Sequence, residues 1–113
     1  MKIPKPIAER RRAVRIQEEL PFTIGHEGYE LEAVSVNISS RGALCVLPRQ
    51  IPLMTQLHVC FCLPGREIRA RGVVVRHEKD PAPGRFRTAI YFTRVNPQDE
   101  KALRAYLGRG SNP

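Results

Sequence analysis

Hydrophobic and polar residues alternate along most of this chain, in short runs that are separated by turn residues. From residue 20 onward this alternation predicts six β-strands. The predicted strands cover residues 20–25, 29–37, 43–47, 56–63, 67–77 and 86–92. Six strands at such short spacing are typical of an antiparallel sheet that is closed into a barrel or folded into a sandwich.

The second predicted strand changes its hydrophobic phase part-way along. Leu31 and Ala33 face one side of the sheet, whereas the apolar residues that follow face the other side. These later residues are Val34, Val36 and Ile38. Another change of phase lies near Gly72, in the strand 67–77. A change of phase within one strand predicts a β-bulge, or a strand that is shared between two curved surfaces.

The C-terminal part of the chain has a helical pattern instead. Asn96 suits the N-cap and Pro97 the first helical position, and Asp99 falls in the first turn, where the helix dipole favours an acidic side chain. An apolar stripe at helical spacing follows, made of Ala102, Leu103, Tyr106 and Leu107. Gly108 is predicted to end the helix. Because a helix this short is marginal alone, we expect its stripe to cover the open end of the sheet.

The length of 113 residues fits one domain with a modest core. The predicted fold class is all-β with one C-terminal helix. Residues 1–8 contain two prolines and no periodicity, so we expect a flexible lead-in there. The domain itself is predicted over residues 9–107, and residues 108–113 are predicted to be a disordered tail.

Composition predicts a cytoplasmic protein. No run of 18 or more apolar residues is present, so no segment is predicted to span a membrane. The N-terminal charges are not followed by an apolar region, so a signal peptide is not expected. Three cysteines, an odd number without a Cys-x-x-Cys pair, fit a reduced protein better than a disulfide-bonded secreted one.

The side chains that usually carry catalysis or bind metal ions form no recognisable arrangement. The three histidines have no serine or cysteine partner at a catalytic spacing. On the strand 56–63, His58, Cys60 and Cys62 share one face, but the outer two would lie about 13 Å apart, too far to bind one ion. We therefore predict neither an enzyme nor a metal or cofactor site.

The net charge of +8 is concentrated near the N-terminus. Residues 1–16 contain six Lys and Arg and a single Glu, so they carry +5 and the rest of the chain +3. Such a segment fits a phosphate-bearing partner, and it fits a solvated, solubilising tail equally well. Within it, Arg11 and Arg15 form an Arg-x-x-x-Arg pattern. Guanidinium groups bind phosphate oxygens and the O6/N7 edge of guanine, and they stack on bases.

Residues 37–42, Asn-Ile-Ser-Ser-Arg-Gly, form a polar corner between the second and third predicted strands. Asn37 and Ser39 are two positions apart, so they project to one face of an extended chain. Gly42 permits the positive φ that a tight reversal often needs. An amide, a hydroxyl and open backbone N–H groups can bind an anion or a base edge, although a solvated hairpin loop has the same composition.

Together these features resemble the PilZ domain family. The resemblance rests on an Arg-x-x-x-Arg segment, a β-rich run, and an Asn/Asp-x-Ser-x-x-Gly corner about twenty residues later. The matching residues are Arg11, Arg15, Asn37, Ser39 and Gly42. The strand 86–92 and the capped helix also resemble the closing elements of that family. The resemblance covers roughly residues 9–107, and it implies a six-stranded antiparallel Greek-key β-barrel that binds the bacterial second messenger cyclic di-GMP.

The resemblance also implies a role for each motif. The arginine pair would bind guanine edges and phosphates, and the polar corner would hold the other side of the ligand. In the family, the residue before the first motif arginine influences whether one ligand or a stacked pair is bound. Here it is Arg10, a third cationic stacking group, which favours a stacked pair. Asn37 in place of Asp is an allowed variant, and it removes a carboxylate that could accept hydrogen bonds from guanine.

The predicted mechanism is that of a sensor. The ligand draws an N-terminal arm, about residues 9–15, onto the barrel corner and so reshapes a surface for a protein effector, which the sequence does not identify. A small basic barrel could instead bind RNA or single-stranded DNA. The aromatic content of 6% disfavours this alternative, because such proteins present stacking aromatic residues. A PilZ scaffold that contacts only proteins is disfavoured because both motifs are present.

Overall fold

The barrel strands occupy the positions that the hydrophobic pattern predicts. The computed structural model describes residues 15–16 and 19–110 of the chain, with side chains for residues 19–108. Its strands are β1 (Arg15–Ile16), β2 (Pro21–His26), β3 (Tyr29–Ser39), β4 (Gly42–Leu47), β5 (Gln56–Leu63), β6 (Arg66–Lys79) and β7 (Phe86–Val95), and its helix is α1 (Pro97–Gly110). The six predicted strands correspond to β2 to β7, and β1 is an additional strand of two residues. Within these residues, no helix is long and apolar enough to cross a membrane.

Strands β2 to β7 close into a single antiparallel barrel. The hydrogen-bonded order is β3-β2-β5-β6-β7-β4, and β4 also pairs with β3, which closes the ring. Strands β2, β3 and β4 follow one another as neighbours, and β5 returns to lie beside β2, which is a Greek-key arrangement. The expected fold class, a six-stranded antiparallel Greek-key barrel with one C-terminal helix, is confirmed.

Strand β3 contains the predicted bulge, but the bulge lies further along than the predicted change of phase. The register with β4 shifts between Ser35 and Asn37. Ala33 and Ser35 are 4% and 1% exposed, whereas Val34 is 40% exposed. The expectation that Val34 begins the second apolar face is therefore wrong, because the strand keeps its first phase until Ser35. Burial of this serine is tolerated because its Oγ accepts a hydrogen bond from Leu20 N–H (2.9 Å).

Near Gly72, in β6, the strand is irregular as predicted, but its hydrophobic phase does not change: the buried positions keep one alternation from Ile68 through Gly72 to Val74. The register of β6 with β7 shifts between Arg71 and Gly72, and again between Val74 and Arg76. Gly72 is buried where the two strands approach closely, since a Cβ atom there would lie 2.7 Å from Ile90 Cγ2. The bend of β6 therefore depends on a residue without a side chain.

The barrel interior is filled by aliphatic and aromatic side chains from all six long strands. Three aromatic rings stack through it: the Phe22 and Phe61 centroids are 4.3 Å apart, and the Phe61 and Phe92 centroids are 6.3 Å apart. Leu103 and Leu107 of α1 belong to the same buried cluster. The helical stripe therefore packs onto the barrel core, and this burial stabilises a helix that would be marginal in isolation.

Helix α1 begins where predicted and ends later than predicted. The Asn96 side chain accepts a hydrogen bond from Gln98 N–H (2.8 Å), as an N-cap does. Gly108 does not end the helix, which continues to Gly110 and so enters the segment 108–113 that the sequence predicts as a disordered tail. A single exposed glycine lowers helix stability by about 1 kcal/mol relative to alanine, which is not enough to end a helix that is packed on a core.

Asp99 attaches α1 to the barrel, a role that its predicted place in the first helical turn did not reveal. Its carboxylate accepts hydrogen bonds from Arg66 Nε (2.8 Å) and from the backbone N–H of Arg69 (3.2 Å), both in β6. The Asp99 side chain is only 10% exposed. One carboxylate therefore neutralises an arginine and satisfies a backbone donor of the strand.

We expect Asp99→Ala to lower the free energy of unfolding by about 2–3 kcal/mol, because Arg66 and the strand amide lose a largely buried acceptor. Urea unfolding measures this change. Glu100→Ala is the matched control: Glu100 forms an ion pair with Arg104 (3.0 Å) on the helix surface, and its loss should cost less than about 0.5 kcal/mol. Equal losses in the two variants would contradict the anchoring role of Asp99.

Asp80 organises the connection between β6 and β7. Its carboxylate accepts hydrogen bonds from Arg87 Nε (2.9 Å) and from the backbone N–H of Ala82 (2.9 Å), and Arg85 Nε lies 3.5 Å away. The hydrogen bond from Arg87, then that from Ala82, and then the charges of both arginines lower the pKa of Asp80 below its ordinary value.

This lowered pKa predicts a pH dependence of stability. The ionised form of Asp80 stabilises the folded protein, so its contribution is complete above the ordinary carboxyl pKa, near 4, and is lost as the pH falls through the lowered value. We expect Asp80→Asn to reduce the Tm most above about pH 5 and progressively less towards about pH 3. Thermal melts across this range measure the difference, and a constant difference would refute the assignment.

Candidate functional site

Arg15, the second arginine of the N-terminal motif, meets the polar corner across two paired strands. Strand β1 pairs antiparallel with the end of β3, and Arg15 lies directly opposite Ser39. Ile38 of β3 pairs with Ile16 on one edge and with Ala43 on the other, so β1 and β4 flank β3 at the corner. The second arginine of the motif is thus placed beside the corner, although the two are far apart in the sequence.

The rest of the predicted N-terminal site lies outside the described residues. This applies to Arg10, to Arg11 and to the side chain of Arg15. Their contacts with a ligand therefore stay predictions. Of the predicted arm, residues 9–15, the structure describes only Arg15, which belongs to β1.

Ser39 shapes the turn between β3 and β4. Its Oγ accepts hydrogen bonds from the N–H groups of Arg41 (3.1 Å) and Gly42 (3.2 Å), and it donates to the Gly42 carbonyl (3.4 Å). The expectation of open backbone N–H groups at this corner is wrong for these two amides, because the serine hydroxyl already satisfies them. Phe92 N–H donates to the Arg41 carbonyl (2.8 Å), which attaches the turn to β7.

Gly42 is required because there is no room for a side chain, not because the turn needs a positive φ. The prediction of a positive φ at Gly42 is wrong. Among the described glycines, those with positive φ are Gly28, Gly65 and Gly84. A Cβ atom on Gly42 would overlap the Ile90 carbonyl oxygen and lie 3.2 Å from Tyr91 Cα. Gly42 therefore lets the backbone of β7 approach the corner, which any side chain would prevent.

The corner lines an open cleft of about 280 Å³ on the barrel surface. Asn37, Ser39 and Gly42 all contribute to it, so the structure brings the three predicted corner residues together. Further side chains of the lining were not predicted. They are Arg41 from the turn, Val75, Arg76 and Glu78 from β6, and Tyr91 from β7.

Tyr91 could have been found from the sequence. It is 46% exposed, while its neighbours Ile90 and Phe92 are buried. The alternation of residues 86–92 already indicated that Tyr91 points away from the core, and a solvent-facing aromatic ring is a stacking surface for a base. What the alternation could not indicate is that this ring lies beside the polar corner, because that depends on the pairing of β4 with β7.

The two arginines of the cleft differ in their partners. Arg76 Nε lies 3.1 Å from Glu78 Oε2, so the charge of Arg76 is compensated within the protein. Arg41 is exposed and forms no ion pair with the side chains of residues 19–108. Among the described side chains, the Arg41 guanidinium group is thus the uncompensated one of the two, and such a group suits an anion such as a phosphate. Sequence reasoning passed over Arg41 because it occupies a variable position of the Asn-x-Ser-x-x-Gly motif.

The described histidines and cysteines form no cluster of metal ligands, and Cys60 is not activated as a nucleophile. No three His, Cys, Asp or Glu side chains in this part of the chain are grouped so that they could hold an ion. Cys60 Sγ donates a hydrogen bond to Glu67 (2.9 Å). Partial burial, followed by this hydrogen bond, raises the pKa of Cys60 to about 11. Cys60 is therefore a protonated thiol near neutral pH, whereas nucleophilic attack and metal binding need the thiolate.

Comparison with known families agrees with the two motifs and with the barrel. The family description "PilZ domain" matches residues 9–109. The chain belongs to the PilZ domain family. The match includes both the arginine segment and the polar corner, and it extends through β7 into α1. No curated protein sequence matches this PilZ domain.

Several solved structures are similar to this PilZ domain. The inhibitor of motility MotI/DgrA from Bacillus subtilis is 28% identical, with a TM-score of 0.79, over 88% of this chain and 50% of that protein. The PilZ domain of CeSA from a cellulose-synthesizing bacterium is 19% identical, with a TM-score of 0.59, over 84% of this chain and 95% of that one. The PilZ domain of YcgR from Escherichia coli, solved with cyclic di-GMP, is 15% identical, with a TM-score of 0.68, over 89% of this chain and 91% of that one. The chain thus spans half the length of MotI/DgrA, and its likeness to the other two is one of fold.

Proposed function

We propose that this PilZ domain is a receptor for cyclic di-GMP that transmits a signal without catalysing a reaction. The observation that supports the proposal is the register of β1 with β3, which sets Arg15, one residue of the arginine motif, opposite Ser39 of the polar corner. Membership of the PilZ family supports this ligand, and so does the PilZ domain of YcgR, which was solved with cyclic di-GMP.

The groups around the corner suit a guanine nucleotide with phosphates. Arg11 and Arg15 supply guanidinium groups for guanine edges and phosphate oxygens. Asn37 offers an amide to a base edge. Arg41 adds a positive charge that the described side chains leave uncompensated, and Tyr91 adds an exposed ring on which a base can stack.

The other two motif residues contribute through the shape of the corner. Ser39 holds the N–H groups of the turn with its hydroxyl, and Gly42 admits β7 and with it Tyr91. A ligand that enters the cleft therefore meets a rigid wall on one side, and the N-terminal arm closes over it from the other.

Ligand binding orders the N-terminal arm in this proposal. Fixing the six residues 9–14 costs roughly 6–12 kcal/mol, at about 1–2 kcal/mol for each residue. Several charge-assisted hydrogen bonds, at about 1.5–3 kcal/mol each, and stacking on arginine offset this cost and leave a moderate affinity. Arg15 already pairs with β3, so the change is confined to the residues before it. The ordered arm then presents a new surface to a protein effector.

Arg10 extends the cationic surface of the arm by one residue. A third guanidinium group can stack on the outer base of a second ligand molecule. We therefore expect two molecules of cyclic di-GMP to bind each chain as a stacked pair.

Calorimetric titration of the chain with cyclic di-GMP tests both the ligand and the stoichiometry. We expect saturable binding with two molecules per chain, and much weaker binding of cyclic di-AMP, because adenine does not present the O6/N7 acceptor pair. Cyclic di-GMP should also displace any single-stranded oligonucleotide that binds. Tight oligonucleotide binding that cyclic di-GMP cannot displace would favour the nucleic-acid alternative and overturn the proposal.

The arm movement needs a separate measurement. Backbone amide signals of residues 9–14 should change in position and sharpness during an NMR titration with cyclic di-GMP, because the proposal orders these residues only in the complex. If the signals show a rigid segment before any ligand is added, the proposed ordering of the arm is refuted, but the proposed binding of cyclic di-GMP is not.

A further inference from the structure

Three basic side chains lie directly opposite one another on neighbouring strands of the barrel. His58 of β5 pairs with Arg71 of β6, and Arg71 in turn pairs with Arg94 of β7. All three residues are exposed, and all three line one cleft, so their side chains share one outer face of the barrel. We refer to His58, Arg71 and Arg94 as the basic row.

This arrangement is unfavourable in the isolated protein. Positions directly opposite each other on antiparallel strands have Cβ atoms about 4.5–5.5 Å apart, and like charges there repel. Among the side chains of residues 19–108, carboxylates compensate most of the other arginines: Arg66 pairs with Asp99, Arg69 with Glu67, Arg76 with Glu78, Arg85 and Arg87 with Asp80, and Arg104 with Glu100. Arg71 and Arg94, in contrast, form no ion pair within residues 19–108.

The surroundings of the basic row add to its positive potential. Asn96 and Pro97, at the N-terminal end of α1, line the same cleft, and a helix carries partial positive charge at this end. Acidic side chains of β6 and of the first turn of α1 pair with arginines other than Arg71 and Arg94, although one of those arginines, Arg69, lines the same cleft. Glu67 binds Arg69, Asp99 binds Arg66, and Glu100 binds Arg104. A carboxylate from outside the domain would therefore relieve a repulsion that the described side chains leave in place.

We propose that the basic row binds an acidic helix of a protein partner through two carboxylates one helical turn apart. Cβ atoms at positions i and i+4 of a helix are about 5–6 Å apart, close to the separation of directly opposed strand positions. Arg71 and Arg94 can thus each receive one carboxylate from the same helix.

The chemistry of this cleft favours a protein over a nucleic acid. No aromatic side chain lines the cleft within the described residues, so unpaired bases have no ring to stack on. A protein that binds duplex DNA through the backbone commonly makes about 6–10 phosphate contacts, whereas the basic row supplies two arginines and one histidine. The basic row shares no residue with the cleft at the proposed nucleotide corner, but Arg94 also lines a neighbouring cleft with Arg41 and Tyr91, so Arg71 is the member of the pair that tests the two proposals separately.

A model peptide tests this surface directly. The probe is a fluorescent, alanine-rich helical peptide with Glu at positions i and i+4, and its matched control has Gln at both positions. We expect the chain to bind the Glu peptide, to bind it less tightly as salt is added, and to show no measurable binding of the Gln peptide. The double variant Arg71→Gln and Arg94→Gln should weaken binding at least about tenfold, since both charge-assisted contacts are lost.

The matched protein control removes the same charge elsewhere. Lys79→Gln with Arg85→Gln changes two exposed basic residues at the opposite end of β6 and in the loop that follows, and its affinity for the Glu peptide should stay within about twofold. Equal losses in the two double variants would overturn the proposal in favour of general charge attraction. Failure of the wild-type chain to bind the Glu peptide would overturn it too, as would an oligothymidylate that binds the basic row more tightly than the peptide.

Two further measurements test the repulsion within the basic row and its separation from the nucleotide site. Arg94→Gln alone should raise the Tm at low salt by about 1–4 °C relative to Lys79→Gln, and this difference should disappear at high salt, because the repulsion is then screened. The absence of a rise would remove the repulsion on which the inference rests. Titration of the Arg71→Gln variant with cyclic di-GMP should match wild type, because Arg71 lines neither cleft beside the nucleotide corner, so a failure of the peptide assay is distinguishable from a failure of the nucleotide proposal.

Discussion

The double substitution Arg11→Ala and Arg15→Ala is expected to abolish measurable binding of cyclic di-GMP. Each guanidinium group removed eliminates charge-assisted hydrogen bonds worth about 1.5–3 kcal/mol, so the loss of affinity is on the order of 100-fold or more. The Tm should change by only a few degrees, because β1 has two residues and its pairing with β3 is made by the backbone. Calorimetry measures the affinity, and thermal melting shows that the fold is retained.

A charge-matched control distinguishes specific contacts from general attraction. Lys5→Ala with Arg12→Ala removes two positive charges from the same N-terminal segment and leaves the Arg-x-x-x-Arg pattern intact. We expect this variant to lose less than about tenfold in affinity, since only screened, long-range attraction is weakened. Similar losses in both double variants would mean that the segment acts through its net charge. Full binding by the Arg11→Ala and Arg15→Ala variant would place the nucleotide elsewhere.

Gly42→Ala is expected to lower the free energy of unfolding by about 3 kcal/mol, a large effect for the addition of one methyl group. The new Cβ atom would overlap the Ile90 carbonyl oxygen, and the obstacle is backbone that is fixed on both sides by the sheet. Strand β7 must therefore move away from β4, and Tyr91 moves with it. Urea unfolding measures the stability loss. Cyclic di-GMP affinity should fall as well, because the cleft changes shape.

Gly25→Ala is the matched control for this prediction. Gly25 also lies in a barrel strand and has no positive φ, but a Cβ atom there would lie 3.5 Å from His58 Cβ, an ordinary contact. We expect Gly25→Ala to change stability by less than about 1 kcal/mol, since alanine restricts the unfolded chain more than glycine does. If Gly42→Ala proved as mild as Gly25→Ala, the close approach of β7 would not be the reason for this glycine.

The strands of this domain could be predicted because the relevant signal is local. Leu57, Val59, Phe61 and Leu63 alternate with polar residues, and β5 buries these four side chains as the alternation requires. The N-cap at Asn96 was readable for the same reason, since a cap involves only neighbouring residues. The sequence predicted a bulge in β3 but placed it too early. Ser35 is buried, and because a polar residue at an inward position interrupts the apolar pattern, the pattern does not show where the phase of the strand changes.

The candidate site was predicted less completely than the fold. Asn37, Ser39 and Gly42 line one cleft, which their shared motif indicated. Neither Arg41 nor Tyr91 belongs to a fixed position of that motif, so neither was selected. The reasons for Ser39 and Gly42 were also misjudged: the hydroxyl is spent on the turn itself, and the glycine makes room for a strand that lies almost fifty residues later in the sequence.

By itself the sequence determined which segments form the six barrel strands and where the helix begins, and it indicated two candidate binding motifs, because periodicity, capping and residue type are properties of neighbouring positions. Only the tertiary structure decided that Arg15 lies opposite Ser39, that β7 passes against Gly42, and that Arg71 faces Arg94. These contacts depend on which strands pair and in what register. The same alternation of apolar and polar residues is compatible with several registers, and closure of the whole barrel selects one of them.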